Sequence, residues 1–187
     1  MKNINKKQTG FTLIELLVVI SIMGLLFLMA VPNYRQQQRR NEVKNAAKEL
    51  RSLLWEAQSR ALAPSSANTT EYKIILPNAG TCGQTINLSE IHNDSTTQTL
   101  KTVILKSNVC IKNIKADGLD TSATITYLVG DNRTSGLVRF YNNNGTELAK
   151  NSIDIQVYST TEGLNYTYNV NINKAANSIS LSLATIP

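Results

Sequence analysis

The feature that most constrains the fold is an apolar run near the N-terminus. Over residues 11–31 only Thr12, Glu15, Ser21 and Gly24 are not apolar. About 20 apolar residues are enough for a helix to cross a bilayer. An ionisable residue inside hydrocarbon costs at least about 2.5 kcal/mol and normally has a partner. The run therefore predicts a membrane span, and Glu15 is either a tolerated charge or one that receives its partner from another molecule.

The segment before this run predicts how the helix is oriented. Residues 1–10 contain Lys2, Lys6 and Lys7 and no acidic residue, as in the basic region of a signal peptide. In an ordinary secretory signal, the small residue of the cleavage site follows the apolar region. Here the small residue, Gly10, precedes it, so cleavage at Gly10 would leave the helix on the mature chain. The positive-inside rule places residues 1–10 in the cytoplasm and the remainder outside.

Beyond the apolar run the sequence predicts that the same helix continues. Gly24 and Pro32 interrupt the pattern, and a proline inside a helix removes a backbone hydrogen bond and introduces a kink. We expect one helix from about residue 12 to residue 62, ended by Pro64. Its second half is amphipathic, with apolar residues at spacings of three and four. These apolar positions are Val43, Ala46, Ala47, Leu50, Leu53, Leu54, Ala57 and Ala61.

After Pro64 the pattern becomes that of β-strands. β-Branched and aromatic residues alternate with polar ones, and Asn, Gly, Ser and Asp separate the stretches. We expect an antiparallel β domain whose apolar face is covered by the helix stripe. Residues 78–100 and 115–122 are polar and are predicted to be loops. The expected strands are 72–76, 101–105, 109–113, 123–129, 137–141, 153–158, 166–172 and 178–183.

The distribution of charge limits the binding partners of this domain. The chain has a formal net charge of +6, but residues 64–187 carry nine basic and nine acidic residues. The basic excess therefore lies in the leader and the helix. A neutral head weighs against strong electrostatic binding of DNA by that domain.

Two cysteines, Cys82 and Cys110, fall in the segment expected outside the membrane. His92 is the only histidine, so these residues make a poor structural zinc site, which needs four ligands. A disulfide across this separation would contribute roughly 3–4 kcal/mol in the chain-entropy model. The alternative is a pair of buried free thiols in a reducing compartment.

No residue pattern indicates catalysis. The chain has no Gly-rich phosphate loop, no HExxH and no GxSxG, so we expect neither an enzyme nor a cofactor. His92 lies in a polar stretch and is not interpreted as catalytic. Asp117 and Asp120 are interpreted as turn residues in preference to calcium ligands. Trp55 and the tyrosines are interpreted as core or cross-strand residues in preference to a stacking platform for single-stranded DNA.

The stretch GFTLIELLVVISIMGLL resembles the class III signal of type IV pilins and type II secretion pseudopilins. The match consists of a short basic leader, Gly10, Phe11 and a glutamate, Glu15, at the fifth position of the mature chain. The resemblance implies cleavage between Gly10 and Phe11 by a prepilin peptidase and methylation of the new amine of Phe11. It also implies that Glu15 pairs with the N-terminal amine of a neighbouring subunit during assembly.

Later segments are similar to one subgroup. AAKELRSLLWEAQSRALAPSS, LVRFYNNNGTEL and YNVNINKAANSISLSL are similar to elements of H-type minor pseudopilins and FimT-like minor pilins. FimT-like pilins that bind DNA carry a Gly-Arg-x-Arg motif near the last hairpin. The corresponding residues 173–178 contain one lysine, Lys174, and no arginine. The resemblance therefore implies a structural subunit more than a DNA-uptake protein.

The expected architecture is α+β and pilin-like, a lollipop in which a long helix packs on an antiparallel β domain. It comprises a cleaved leader (1–10), a transmembrane or filament-core helix (11–32), an amphipathic helix (33–63) and a β-rich head (64–187). The predicted function is that of a minor subunit of a type IV pilus or type II secretion pseudopilus. Implied partners are other subunits, the prepilin peptidase, the inner-membrane assembly platform and membrane lipid. The alternatives are a DNA-binding competence pilin, a major pilin and a membrane-anchored enzyme.

Overall fold

The computed structural model describes residues 11–78, 80–116, 119–120, 123–129, 138–142, 144–149, 151–160 and 166–185. One helix of 50 residues, α1, is followed within these ranges by eleven strands. The elements are α1 Leu13–Leu62, β1 Thr69–Ile75, β2 Thr85–His92, β3 Thr97–Ile104, β4 Val109–Ala116, β5 Leu119–Asp120, β6 Thr124–Leu128, β7 Val138–Tyr141, β8 Glu147–Leu148, β9 Ser152–Ser159, β10 Tyr166–Asn173 and β11 Ser178–Thr185.

The strands form two sheets with antiparallel pairing throughout. The six-stranded sheet has the order β3-β2-β1-β6-β7-β8, and the five-stranded sheet has the order β11-β10-β9-β4-β5. Hairpins connect β1 to β2, β2 to β3, β6 to β7, β9 to β10 and β10 to β11. The prediction of a helix packed on an antiparallel β domain is confirmed.

The strands follow the alternation of their side chains. In β9, Ile153, Ile155 and Val157 are fully buried, and the residues between them are partly exposed. Strand β10 adds Val170 and Ile172 to the same core. Because successive side chains of a strand point to opposite faces, this period of two directs one face of each sheet inward.

The second half of α1 supplies the other side of the core. The chain divides into two compact units, Met1–Gln38 and Arg39–Pro187, and the amphipathic residues of α1 belong to the second. Leu50, Leu53 and Leu54 have no solvent exposure and join one apolar cluster with residues of both sheets. The predicted stripe from Val43 to Ala61 is buried at every position, so this prediction is confirmed.

The prediction that residues 78–100 and 115–122 form loops is wrong. The first range contains β2 and the start of β3, and the second contains the end of β4 and β5. Strand β2 directs Ile86, Leu88 and Glu90 inward, so a carboxylate occupies one of its three buried positions. The polar residues of β3 are exposed because this strand lies at the edge of its sheet.

The buried carboxylate of Glu90 ties the end of α1 to the first strands. It accepts a hydrogen bond from the Thr69 hydroxyl and bonds of 3.4 Å from the Ser65 and Tyr72 hydroxyls. A buried charge is costly unless hydrogen bonds replace its hydration. The three hydroxyl donors therefore stabilise Glu90 where the chain turns from helix to sheet.

The predicted disulfide is present. Cys82 and Cys110 are bonded and form an isolated antiparallel bridge, which rules out the free-thiol alternative. Gly83 beside it has a φ of +63°, and a Cβ there would lie 3.1 Å from the Cα of Ser107. This close approach of two backbone segments explains why glycine follows the cysteine.

Within the part of the chain that the structure describes, no helix combines the length and apolarity that crossing a membrane requires. The span predicted over residues 11–32 stays a prediction.

The buried stripe yields a stability test. We expect Leu54→Ala to lower the free energy of unfolding by about 2–5 kcal/mol, because it removes buried methyl groups and leaves a cavity. Leu62→Ala is the matched control, since Leu62 lies in the last turn of the same helix and is 59% exposed. The measurement is chemical denaturation of the full chain in non-ionic detergent. Equal losses in the two variants would contradict the assignment of Leu54 to the core.

Candidate assembly site

Thr12 caps the N-terminus of α1, where the sequence predicts processing and assembly. Its hydroxyl oxygen accepts a hydrogen bond of 3.3 Å from the backbone N–H of Glu15, and its carbonyl accepts one of 3.2 Å from the N–H of Leu16. Thr12 is therefore the N-cap, and Glu15 is the third helical residue. A carboxylate there is favoured by the helix dipole, and Thr-x-x-Glu is the spacing of a capping box. The sequence interpretation missed this local role, although the spacing signals it.

Apart from Thr12 and Ser21, the helix surface around Glu15 is apolar. Every large hydrophobic side chain from residue 13 to residue 28 is between 42% and 82% exposed. A continuous exposed apolar surface marks a site that lipid or another protein covers. Among the described residues, the Glu15 carboxylate forms no hydrogen bond or ion pair, so its charge lies in this surface without a partner in the chain.

Two small residues lie on the same segment. Ser21 donates a hydrogen bond of 2.8 Å to the carbonyl of Leu17, which satisfies its hydroxyl within the helix. A Cβ added to Gly24 would meet no atom within 4 Å. Small residues allow helix backbones to approach closely in an apolar environment. Helix α1 includes both Gly24 and Pro32, and the kink expected at these positions stays a prediction.

Glu42 links one side of the amphipathic half of α1 to the β domain through two hydrogen bonds. Its carboxylate accepts hydrogen bonds from Lys106 Nζ at 2.8 Å and from Asn108 Nδ2 at 2.9 Å. The hydrogen bond from Lys106 is the main cause that lowers the pKa of the Glu42 carboxyl below its ordinary value, and the hydrogen bond from Asn108 is the second cause.

Glu56 forms a second tie on the same side of α1. Its carboxylate accepts bonds from Lys101 Nζ in β3 at 2.7 Å and from Arg60 Nη2 at 3.0 Å. The hydrogen bond from Lys101 is the main cause that lowers the pKa of Glu56. Glu42 and Glu56 are two heptads apart, so they lie on the same side of the buried stripe.

Contacts with β10 and its following turn hold the other side of α1. The Arg40 guanidinium lies 4.5 Å from the centre of the Tyr166 ring, within range of a cation–π contact. Gln58 Nε2 donates to the backbone carbonyl of Asn177 at 3.2 Å and to its side-chain oxygen at 2.5 Å. Asn177 has a φ of 47°, which asparagine tolerates better than most residues. Polar contacts thus flank the apolar stripe on both sides.

The remaining candidate residues belong to the second compact unit. Lys174 begins the turn between β10 and β11, is partly exposed and donates its backbone N–H to the Asn151 carbonyl at 2.7 Å. His92 ends β2 and lines a polar cavity of about 360 Å³. Asp117 and the side chain of Asp120 lie outside the described residues. Within those residues, no group of three or more His, Cys, Asp or Glu could hold a metal ion.

The aromatic residues match the sequence interpretation only in part. Tyr127 and Tyr168 are buried in the core, as predicted. Trp55 is 67% exposed, so its assignment to the core is wrong. The helical periodicity explains this, because Trp55 lies one position outside the stripe that buries Leu53 and Leu54.

An apolar N-terminal segment with one glutamate, in a helix whose later part packs on an antiparallel β domain, is consistent with a pilin fold. The family described as prokaryotic N-terminal methylation motif matches residues 5–31. This N-terminal segment is thus similar to that of proteins with the methylation motif, and the relatives that the chain resembles are pilins.

Curated relatives match part of the chain. The chain is 42% identical over 57 residues to a fimbrial protein of Pseudomonas aeruginosa, covering 30% of this chain and 37% of the relative. It is 32% identical over 119 residues to the type IV major pilin protein PilE1 of Neisseria gonorrhoeae, covering 62% and 48%. The chain thus spans less than half the length of these two relatives. No solved structure is a significant match.

The contacts of Glu42 yield a pH test. The pKa of the Glu42 carboxyl is lower in the folded state than its ordinary value of 4.5. The contacts of Glu42 therefore stabilise the fold above pH 4.5, and this stabilisation is lost as the pH falls through the folded-state pKa. We expect Glu42→Gln to be less stable than wild type at pH 7, with the difference shrinking as the pH falls below 4.5. The measurement is denaturation of the full chain at several pH values.

Glu49→Gln is the matched control, because Glu49 is exposed on the same helix. This variant should lose stability on acidification as the wild type does, because its Glu42 contacts are intact. A difference between Glu42→Gln and wild type that stays constant from pH 7 to pH 3 would contradict this account.

Proposed function

We propose that this chain is a minor structural subunit of a type IV pilus or of a type II secretion pseudopilus, in the H-type or FimT-like subgroup. The observation that carries the proposal is the apolar surface of residues 13–28, which contains one carboxylate, Glu15, that has no partner among the described residues. This surface suits lipid before assembly and the helices of neighbouring subunits afterwards. Type IV pilin-like subunits are structural proteins, which agrees with the absence of enzyme motifs from the sequence.

Processing prepares the helix for assembly in this proposal. Cleavage between Gly10 and Phe11 by a prepilin peptidase removes three lysines and creates an amine at Phe11, which is then methylated. The Thr12 cap follows directly, so cleavage leaves the start of α1 intact. A carboxylate in an apolar layer is stabilised most by a cation delivered into the same layer. The Phe11 amine of a neighbouring subunit supplies that cation to Glu15.

The proposed location rests on two features, the apolar helix and the disulfide of the head. Membrane lipid holds residues 11–32 of the processed chain in the inner membrane, with the head (64–187) outside the cytoplasm. The Cys82–Cys110 disulfide supports this orientation, because disulfides persist in oxidising compartments outside the cytosol. The inner-membrane assembly platform and other pilin subunits are then the partners that move the chain into the filament.

A major pilin is the second candidate within the structural class, since the relatives from Neisseria gonorrhoeae and Myxococcus xanthus are named major pilins. The match to the Myxococcus protein covers only 26% of this chain. The N-terminal motif over residues 5–31 is common to pilins and pseudopilins in this proposal, so it does not distinguish the subunit types. A DNA-binding competence pilin is less favoured, because Lys174 is the only basic residue of the last turn and the head is neutral.

Glu15 provides the test of assembly. Glu15→Gln removes the charge and keeps a residue that can still complete a capping box. We expect this variant to be processed and held in the membrane, while its recovery in sheared filaments falls more than about tenfold, since the charge pair is lost. The measurement is the ratio of filament-bound to membrane-bound protein. Thr12→Ser, which keeps the cap, is the matched control and should assemble as wild type does.

Glu15→Ala separates the two roles of the residue. If the charge matters, Glu15→Ala and Glu15→Gln should lose assembly equally. Normal assembly of Glu15→Gln together with failure of Glu15→Ala would show that Glu15 acts through the helix cap. That result would overturn the proposed pairing with the amine.

A further inference from the structure

Strand β11 is the outermost strand of the five-stranded sheet. It pairs along its whole length with β10, from Ser178 opposite Asn173 to Thr185 opposite Tyr166. Among the described residues, no strand pairs with its other side. Every second residue of an antiparallel edge strand directs its N–H and C=O away from the sheet. Strand β11 therefore presents a row of backbone donors and acceptors to another strand.

The other three edges of the two sheets are protected in ways that β11 is not. Strands β5 and β8 have two residues each. Strand β3 pairs with β2 through an irregular register and carries Lys101, which is bound to Glu56 of α1. Short edges, irregular pairing and lysines are devices that block edge-to-edge pairing. Strand β11 has eight residues in unbroken register, and its sequence SISLSLAT contains no charge and no proline.

The side chains of β11 continue the core to this edge. Ile179, Leu181 and Leu183 lie opposite Ile172, Val170 and Tyr168 on the core-facing side. Ile179 and Leu181 are only partly buried against the core, and Leu183 is 45% exposed. An added strand with apolar residues at alternate positions would cover them. The other face of β11 carries Ser178, Ser180 and Ser182.

We propose that β11 is a strand-pairing interface that binds β11 of a second copy of this chain in antiparallel orientation. The sequence is self-complementary for this purpose, because its period of two is unchanged when the strand direction is reversed. In an antiparallel pair of β11 strands, the core-facing sides of both copies can lie on the same side of the joined sheet. In that register, apolar residues of one copy lie opposite apolar residues of the other, and serines lie opposite serines. No like charges meet, because neither strand carries any. The contact is isologous and closes at two copies.

This pairing does not depend on the proposed filament function. Its residues belong to the compact unit that begins at Arg39, whereas the assembly segment belongs to the first unit. Failure of the Glu15 experiment would therefore leave the β11 pairing standing, and failure of β11 pairing would leave the assembly proposal standing.

A charge placed on the edge tests the pairing. Ser180 is exposed, so Ser180→Lys is compatible with the fold and places two lysines near each other across the symmetry axis. We expect the dissociation constant of the dimer to rise by about tenfold or more in sedimentation of the full chain in non-ionic detergent. Ser180→Thr is the matched control, since it favours a strand without adding charge. Equal dimerisation of wild type and both variants would overturn the proposal.

Single cysteines give a second test with positional resolution. Each residue from 178 to 183 is replaced by cysteine in turn, and intermolecular disulfides are measured after mild oxidation. In a symmetric antiparallel pair, one position lies opposite itself, and the yield should peak there and fall on both sides. Ser52→Cys, on the exposed face of α1, is the control for random collision. A flat profile at the level of this control would overturn the proposal.

Discussion

Burial of one stripe of α1 is the interaction on which the β domain depends. Leu50, Leu53 and Leu54 contact an apolar cluster to which both sheets contribute, so the helix completes a core that neither sheet closes alone. The ties through Glu42 and Glu56 flank this contact and add hydrogen bonds to charged groups at its border.

The first residues of α1 show the opposite behaviour, because their apolar side chains are not covered by the rest of the chain. Side chains as apolar as those of the core are exposed from residue 13 to residue 28. The same helix thus has one part whose apolar face is covered by its own chain and one part whose apolar surface is exposed. Glu15 is the third residue of this helix, where the helix dipole favours a carboxylate, and among the described residues it has no charged partner.

The sequence predicts those parts of the fold where a pattern repeats over many residues. The extent of α1 and the last hairpin follow from long periodic segments, whereas the two cysteines only make a disulfide possible, and their pairing is seen in the structure. Strand β2 was missed because Glu90 occupies a buried position that is normally apolar, and three hydroxyls brought by the fold compensate it. The partners of Glu42 are 64 and 66 residues away, so no local pattern reveals them. The interpretation of Trp55 as a core residue rests on its residue type, whereas its position on the helix, outside the buried stripe, indicates exposure.

The central claim is that the processed chain becomes part of a filament. Mass spectrometry of filaments sheared from the cell surface, with peptides from residues 41–187 measured against the dominant subunit, tests it most directly. We expect a mature chain that begins at methylated Phe11. If the filament is a pilus, this chain should be present in it at a small fraction of the amount of the dominant subunit. A secretion pseudopilus would instead yield such a chain only in pseudopili from the envelope. An uncleaved chain that is absent from both fractions would contradict the account.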